Sequence, residues 1–162
     1  MCDRIRLVRA GPCDLVLIKR WLKEPDLRAE MGGSQAAPTL EEGRQETYMI
    51  VRTMDEQTIG YIQVTDINPR RHSAEIRMCI ASYENRSRGY GTEALTLMTG
   101  YLLQRGLDSV YLRVLTDNSA AVRCYQKAGY VKTGVLRSDR FENAGMFLME
   151  LNPLRFQRQY HG

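Results

Sequence analysis

The stretch Arg86-Ser87-Arg88-Gly89-Tyr90-Gly91-Thr92 decides the fold, because it joins a strand-like segment to a helix-like one. Residues 74–80, which precede it, alternate between two faces, and this pattern predicts a half-buried strand. Over residues 94–105, which follow it, apolar side chains recur at helical spacing and predict an amphipathic helix. The chain therefore places a glycine-bearing turn between a strand and the start of a helix.

This turn has the properties of an anion site. The first N–H groups of a helix have no intrahelical partner, and they lie at the positive end of its dipole. Gly89 and Gly91 let an anion approach the backbone closely, and Arg86 and Arg88 add forked donors suited to phosphate. The stretch lacks both the three-glycine dinucleotide fingerprint and the Gly-Lys-Ser/Thr of a Walker loop. We therefore expect an anionic ligand of another class.

A second block follows downstream. Residues 110–115 predict a strand, and residues 116–119 form a turn with several N-cap candidates. Residues 120–128 then carry apolar side chains at helical spacing, and Gly129 is suited to end that helix.

The two blocks resemble those of one family. The first, Arg-x-x-Gly-x-Gly after a strand, is similar to the pyrophosphate loop of the GNAT superfamily of acetyl-CoA-dependent N-acetyltransferases. The second, Asn-x-x-Ala-x-x-x-Tyr-x-x-x-Gly-Tyr over residues 118–130, is similar to another block of that superfamily, in the expected order and at the expected distance. The resemblance is sharp over residues 72–134 and general before them. It implies an α/β fold, in which helices flank a mixed central β-sheet in the order β-α-α-β-β-β-α-β-α-β-β.

The remaining segments predict the other elements of this architecture. Strands are expected over residues 5–8, 48–54, 58–65, 130–137 and 144–151, and helices over residues 12–23, 26–31 and 40–47. A polar loop is expected over residues 66–72, and a loose basic tail over residues 155–162. We expect one domain over residues 1–162.

The resemblance also implies where acetyl-CoA, the cosubstrate, binds. The backbone of Cys79, Ile80 and Ala81 would pair with the pantetheine arm, much as an added strand pairs with a sheet edge. Residues 86–92 would hold the pyrophosphate, and Asn118 would hydrogen-bond the pantetheine region.

Two residues are candidates for the proton transfers of acetyl transfer. Tyr125 is the candidate general acid for the leaving thiolate; its alternative role is an aromatic side chain that packs against the sheet. Glu75 is the candidate general base, because its Ala-Glu-Ile context resembles the histone-acetyltransferase branch, in which a carboxylate deprotonates the amine through water. Partial burial that raises its pKa would favour this role. Its alternative role is a solvated or Arg77-paired carboxylate, and Glu84 and Asp66 are weaker candidates for the base.

The cysteines are expected to take no covalent part. Cys79 and Cys124 are predicted to be small buried hydrophobic residues, because no adjacent base marks either thiol as activated. The superfamily uses direct attack by the amine in a ternary complex.

The acceptor amine is the most open question. The opening strand and the helix ending in Trp21-Leu22 resemble the ribosomal-protein N-terminal acetyltransferases, which implies a protein α-amine. The alternative is an aminoglycoside 6′-N-acetyltransferase or another small-amine enzyme, which requires an acidic pocket for a polycation. Eight acidic residues are available for such a pocket: Glu41, Glu42, Glu46, Asp55, Glu56, Asp66, Asp139 and Glu142. A third possibility is an acetyl-CoA-binding module without catalysis, although a pure binder would need neither Tyr125 nor Glu75.

Composition limits the function further. The net charge of +4 over 162 residues suits an anionic cofactor, but the basic residues are spread along the chain, so nucleic acid is not an expected partner. Four cysteines without metal-ligand spacing favour reduced thiols in a cytoplasm, and two distant histidines give no metal site. No segment is apolar enough to suggest a leader or a membrane span. Many superfamily members dimerise, so a homodimer is compatible with the resemblance.

Overall fold

The structure is a computed structural model that describes residues 4–24, 45–81, 83–86, 88–136 and 145–160. The strands in these residues are β1 (Ile5–Arg9), β2 (Glu46–Arg52), β3 (Gln57–Asn68), β4 (Ser73–Ile80), β5 (Ser109–Leu115), β6 (Tyr130–Leu136) and β7 (Met146–Leu151). The helices are α1 (Pro12–Trp21), α2 (Tyr90–Gln104), α3 (Ser119–Lys127) and α4 (Pro153–Tyr160), with a 3-10 turn at Tyr83–Asn85. No helix in this part of the chain is both long and apolar enough to cross a membrane.

The seven strands form one mixed sheet in the order β1-β2-β3-β4-β5-β7-β6. Every neighbouring pair is antiparallel except β4 and β5, which are parallel. That parallel ladder is short and joins only Ser73, Ala74 and Glu75 to Ser109, Val110 and Tyr111. The predicted mixed sheet flanked by helices is therefore confirmed, and its two halves meet at a ladder that ends early.

Side chains alternate between the two faces of the sheet, so each face has its own core. The larger core lies under α2, whose Leu95, Met98 and Leu102 are buried against residues such as Ile62 and Ile76. Burial of each such side chain contributes about 1.5–3 kcal/mol. Helices α3 and α4 pack on this same core through Val122 and Phe156. We call this side of the sheet the α2 face.

The opposite side, which we call the α1 face, has a smaller core. Ile18 of α1 is fully buried there against Met49, Tyr61 and Cys79. The rings of Trp21 and Tyr61 stack with their centroids 6.4 Å apart. The predicted N-terminal boundary of α1 is confirmed, because Pro12 begins the helix, where its missing N–H has no consequence. The helix ends at Trp21, before the predicted residue 23.

The segment before β2 differs from the prediction. The helix expected over residues 26–31, and residues 40–44 of the one expected over 40–47, lie outside the described residues. For residues 46 and 47 the helix prediction is wrong, because Glu46 already pairs with Val64 in the antiparallel β2–β3 ladder. The acidic residues that suggested a helical first turn gave no information on this distant strand partner.

Strand β3 is longer than predicted, and it contains a register shift and a close approach to β4. The polar loop expected over residues 66–72 is wrong for its first three residues, since β3 continues to Asn68 past a register shift after Thr65. Asp66 accommodates this shift with a φ of 52°. Gly60 lies in the same strand, where a Cβ would stand 2.2 Å from the Cys79 carbonyl oxygen. Only glycine allows β3 to approach β4 this closely.

The C-terminal segment also departs from the prediction. Residues 155–160 belong to α4, so the loose tail expected from residue 155 is wrong there. Phe156 is the reason, because it is buried in the α2-face core and its backbone lies against Gly129. Gly129 ends α3 with a φ of 98°, as predicted from its type. The last two residues lie outside the described part of the chain.

Candidate active site

The predicted anion loop leads directly into α2. Gly89 precedes the helix with a φ of 83°, a left-handed conformation that glycine adopts without strain. The first intrahelical hydrogen bond is donated by the Glu93 N–H to the Gly89 carbonyl, over 3.0 Å. The N–H groups of Tyr90, Gly91 and Thr92 therefore precede the helical hydrogen-bond pattern, as an anion site at a helix start requires. Ser87, also predicted for this site, lies outside the described residues.

The two arginines of the loop differ in their surroundings. The Nε of Arg86 donates to the Ile80 carbonyl over 3.3 Å, which ties this half-buried side chain to the end of β4. Arg88 is exposed at the turn itself. Its guanidinium is therefore the more accessible of the two to a phosphate.

Strand β4 presents an open edge beside this loop. Its ladder with β5 ends at Glu75, while its ladder with β3 continues to Ile80. The Ala81 N–H donates to the Ile59 carbonyl over 2.8 Å, so the backbone of Ala81 faces β3. Because successive residues of a strand face opposite neighbours, Cys79 also faces β3, and Ile80 faces the open edge. The predicted pairing of these three residues with pantetheine stays a prediction, and Ile80 is the residue whose backbone is directed at the open edge, since Cys79 and Ala81 face β3.

Helix α3 lies against the start of α2 and the end of β4. The Thr92 hydroxyl donates to the Cys124 Sγ over 3.2 Å. A Cβ on Gly91 would stand 3.3 Å from both the Cys124 Sγ and the Met78 Cε. The anion loop, β4 and α3 therefore converge at one place on the α2 face.

Two further predicted residues lie at the start of α3 and within it. Asn118 is the N-cap, and its Oδ1 accepts a hydrogen bond from the Ala121 N–H over 3.2 Å. Its side-chain nitrogen carries the donors that a ligand carbonyl would need. Tyr125 follows Cys124, is half-buried and packs against the α2-face core. Both the predicted acid role and the packing role of Tyr125 are compatible with this position.

Glu75 lies on the opposite face and is engaged in an ion pair that the sequence did not predict. It is 5% exposed, and Arg113 donates to both of its oxygens, from Nε over 2.7 Å and from Nη2 over 3.2 Å. This hydrogen bonding raises the pKa of Arg113 above its ordinary value. The Arg77 Nε lies 4.0 Å from the same carboxylate, as the alternative role of Glu75 anticipated. Any base function of Glu75 has to operate within this pair.

Arg113 was not predicted as the partner of Glu75, because the register between β4 and β5 cannot be read from the sequence. In the structure Glu75 lies opposite Tyr111, which brings Arg113, two residues further along, to the same face. The Tyr111 hydroxyl donates to Asp66 over 2.8 Å. Burial, to which this bond adds, raises the pKa of Tyr111 to about 12, so it remains a donor at neutral pH. Asp66, the weaker candidate base, is thus also engaged, whereas Glu84 is exposed.

The surroundings of Cys79 and Cys124 are consistent with the prediction that neither is a nucleophile. Cys79 is buried, Cys124 is half-buried and Cys13 is exposed. Burial raises the pKa of the Cys124 thiol, which favours its unreactive protonated form. Within the described residues, no group of three or more His, Cys, Asp or Glu side chains is arranged to hold a metal ion.

Comparison with known proteins places this geometry in a family. The acetyltransferase (GNAT) domain family matches residues 4–131. Spermidine N(1)-acetyltransferase of Vibrio cholerae is 28% identical over 99 residues, which cover 60% of this chain and 57% of that protein. The Escherichia coli K12 protein of the same name is 30% identical over 107 residues, covering 65% of this chain and 56% of that protein. The chain thus spans little more than half the length of these relatives.

Solved structures show the same fold. Spermidine N-acetyltransferase from Vibrio cholerae in complex with CoA and spermine superimposes with a TM-score of 0.82 at 18% identity, covering 94% of this chain and 98% of the other. The aminoglycoside 6′-N-acetyltransferase AAC(6′)-Ib in complex with ribostamycin and coenzyme A gives 0.79 at 19% identity, with 98% of both chains covered. From the family match, which spans most of the chain, we conclude that this protein belongs to the acetyltransferase (GNAT) domain family.

Proposed function

We propose that the protein transfers the acetyl group of acetyl-CoA to a primary amine of a small polycation, such as a polyamine or an aminoglycoside. The observation that carries this proposal is the convergence of the β4 edge, the N-terminal end of α2 and helix α3 at one gap in the sheet. An extended thioester ligand with an anionic end requires this combination of an open strand edge and a helix N-terminus.

The anionic end of the cosubstrate would lie at the start of α2. The N–H groups of Tyr90, Gly91 and Thr92 would donate to the pyrophosphate, and the exposed Arg88 would add a charged donor. The pantetheine arm would follow the open edge of β4 at Ile80, with Asn118 on its other side. Of the three residues predicted to pair with pantetheine, this assignment keeps Ile80 and omits Cys79 and Ala81, whose backbones face β3.

The reaction itself is a single exchange of bonds. The neutral amine nitrogen attacks the thioester carbonyl carbon, a C–N bond forms, the C–S bond breaks, and the electron pair leaves with sulfur. Tyr125 would donate its phenolic proton to the leaving thiolate. Before the attack, Glu75 would accept a proton from the acceptor ammonium through water and so make its nitrogen neutral. The proton that the nitrogen then loses as the amide forms balances the one that Tyr125 gives to sulfur.

The two proton-transfer candidates lie on opposite faces of the sheet. Tyr125 belongs to the α2 face, and Glu75 shares the α1 face with Cys79. Acetyl-CoA would therefore lie on the α2 face and the amine on the α1 face, with the end of the β4–β5 ladder between them. Direct transfer in a ternary complex requires the amine nitrogen and the thioester carbon to approach within about 3–3.5 Å, so the two ligands would meet where the β4–β5 ladder ends.

The proposed acceptor class relies on the named relatives, which act on spermidine or bind spermine or an aminoglycoside. None of these relatives supports the protein α-amine expected from the sequence. On the α1 face, the carboxylates of Glu75 and Asp66 provide negative charge for a cationic acceptor, although each already has a protein partner.

A panel assay tests the proposal. Thiol release from acetyl-CoA would be measured with spermidine, spermine, ribostamycin, free amino acids and a short peptide whose only amine is its α-amine. We expect turnover with a polyamine or the aminoglycoside. Saturating acetyl-CoA should also raise the melting temperature, since ligand at about 100 times its Kd stabilises a protein by about 2.7 kcal/mol.

Each of the other outcomes of these measurements would lead to a different conclusion. Turnover with the peptide alone would overturn the polycation acceptor and restore the α-amine. Thermal stabilisation by acetyl-CoA without turnover on any amine would favour the non-catalytic binding module. The absence of any stabilisation would overturn the assignment of the loop before α2 as a pyrophosphate site.

A further inference from the structure

Arg4 connects the start of β1 to the first turn of α2. Its backbone N–H donates to the Glu93 Oε1 over 2.9 Å, and its Nε donates to the Glu93 Oε2 over 3.0 Å. One carboxylate is thus held at both oxygens by one residue, 89 positions away in the sequence. Hydrogen bonds that involve charged groups are stronger than neutral ones, so this contact fixes the orientation of Glu93.

The same guanidinium also holds the turn before the helix. The Arg4 Nη1 donates to the Arg88 carbonyl over 2.9 Å. The Arg4 Cζ lies 4.9 Å from the centroid of the Tyr90 ring, in a cation–π arrangement. Arg4 therefore contacts residues on both sides of Gly89.

Gly89 itself is shaped to this contact. A Cβ at Gly89 would stand 2.9 Å from the Arg4 Nη2, and the backbone there is left-handed. A side chain at this position would displace the guanidinium as well as strain the turn. The glycine thus serves the approach of Arg4 in addition to the approach of a ligand.

Arg52 contacts the segment immediately before the anion loop. The Arg52 Nη1 donates to the Oδ1 of Asn85, a buried residue of the 3-10 turn that precedes Arg86. The Thr53 N–H donates to the Arg4 carbonyl over 2.9 Å, which connects the two arginine-bearing strands at this end. The ends of β1 and β2 thus contact the chain before, within and after the anion loop.

These contacts have an electrostatic consequence for the loop. Without a partner, the Glu93 carboxylate in the first turn of α2 would compete with an incoming phosphate for the same helix N–H groups and would repel it. Arg4 donates to both oxygens of this carboxylate and compensates its charge.

We propose that Arg4 is a positioning residue that pre-organises the anion loop for the pyrophosphate of acetyl-CoA. The proposal rests on the proposed function, because it assumes that the loop binds this group. Arg4 acts through Arg88, Gly89 and Glu93. Its loss should therefore weaken cosubstrate binding and leave the acetyl-transfer step unchanged.

The test compares Arg4→Ala with a matched control on the same strand. Arg6 is about as exposed as Arg4, and it also pairs with a carboxylate, that of Glu56, but it makes no contact with the loop in the described part of the chain. We expect Arg4→Ala to raise the Kd and KM for acetyl-CoA about tenfold, the scale of a charge-assisted contact, with kcat unchanged within about twofold. Arg6→Ala should leave both constants at their wild-type values.

A second cosubstrate separates positioning from general damage. S-acetyl-pantetheine carries the thioester and lacks the pyrophosphate, so Arg4→Ala should use it with wild-type kcat/KM. Arg4→Lys keeps one charge and loses the fork, and should lie between wild type and Arg4→Ala in its Kd for acetyl-CoA. Equal losses with both cosubstrates, or wild-type affinity for acetyl-CoA in Arg4→Ala, would overturn the positioning role. Failure of the wild-type protein to bind acetyl-CoA would overturn the proposed function and this role with it.

Discussion

Glu75 and Arg113 form a two-point ion pair between β4 and β5, with N–O distances of 2.7 and 3.2 Å. The pair lies at the last residue of the parallel ladder, where the gap between the strands begins. The pair joins β4 to β5 and at the same time fixes the position of Glu75, the candidate base.

The pair should show strong energetic coupling. Arg113→Ala leaves the carboxylate of Glu75 buried without its main partner, which should destabilise the protein by about 2 kcal/mol, reduced from the fully buried case because Arg113 is partly exposed. The double variant Arg113→Ala/Glu75→Gln should recover part of that loss. Urea unfolding of the four proteins in the cycle measures the coupling, and additive effects would contradict it.

Glu75→Gln tests the base role separately from stability. The variant retains the shape of the side chain and removes its ability to accept a proton, so kcat near neutral pH should fall by about 10²-fold. At high pH the acceptor amine is already neutral, and kcat should approach the wild-type value. A pH profile of kcat gives the answer, and a profile parallel to that of wild type would identify Glu75 as a structural carboxylate only.

Tyr125→Phe should affect the chemical step alone. Phenylalanine retains the packing against the α2-face core and removes the phenolic proton, so kcat should fall by about 10²-fold while the Kd for acetyl-CoA stays constant. Tyr101→Phe is the control, because Tyr101 lies exposed on α2 and is not part of the site. Wild-type kcat in Tyr125→Phe would leave the residue with its packing role.

Substitution of glycine by alanine should have opposite effects on stability at Gly60 and at Gly100. Gly60→Ala would place a Cβ 2.2 Å from the Cys79 carbonyl oxygen, and separating two hydrogen-bonded backbones should destabilise the protein by about 3 kcal/mol or more. Gly100 lies inside α2 with open space around it, and Gly100→Ala should stabilise the protein by about 0.5–1 kcal/mol. Thermal melts measure both, and a wild-type melting temperature in Gly60→Ala would contradict the close approach of β3 and β4.

Glu46 should make stability dependent on acidic pH. Burial alone would raise the pKa of Glu46, but the hydrogen bonds from Arg105 and Tyr48 outweigh it and hold the pKa below its ordinary value of 4.5. A lowered folded-state pKa stabilises the protein above the ordinary value and loses that contribution as the pH falls through the folded-state pKa. Glu46→Gln should therefore be less stable than wild type by about 1 kcal/mol at pH 7, with the difference shrinking as the pH falls below 4.5 through the folded-state pKa. A constant difference in free energy of unfolding across this range would show that Glu46 acts through packing.

The features of the site that the sequence predicted correctly are local. Gly89 marks the helix start because backbone conformation there depends on residue type, and Asn118 caps α3 for a similar reason. The alternation of residues 74–80 likewise predicted β4 almost to its ends. Each signal lies within a few residues of the structure that it specifies.

The features that were missed depend on distant partners. Arg113 meets Glu75 only because of the β4–β5 register. Arg4 contacts Glu93, which lies 89 positions further along the sequence. Helix α4 was overlooked because a single aromatic residue, Phe156, anchors it to a core assembled from other elements. Charge and composition of a segment contain no information about which distant residue will face it.

Under the proposed function, a longer β4–β5 ladder would increase stability and reduce activity. Each backbone pair added beyond Glu75 would strengthen the contact between the sheet halves and would occupy a hydrogen-bonding position of the proposed cosubstrate site. Stabilising substitutions in this protein should be sought in α2 or at the sheet edges, away from the part of β4 that does not pair with β5.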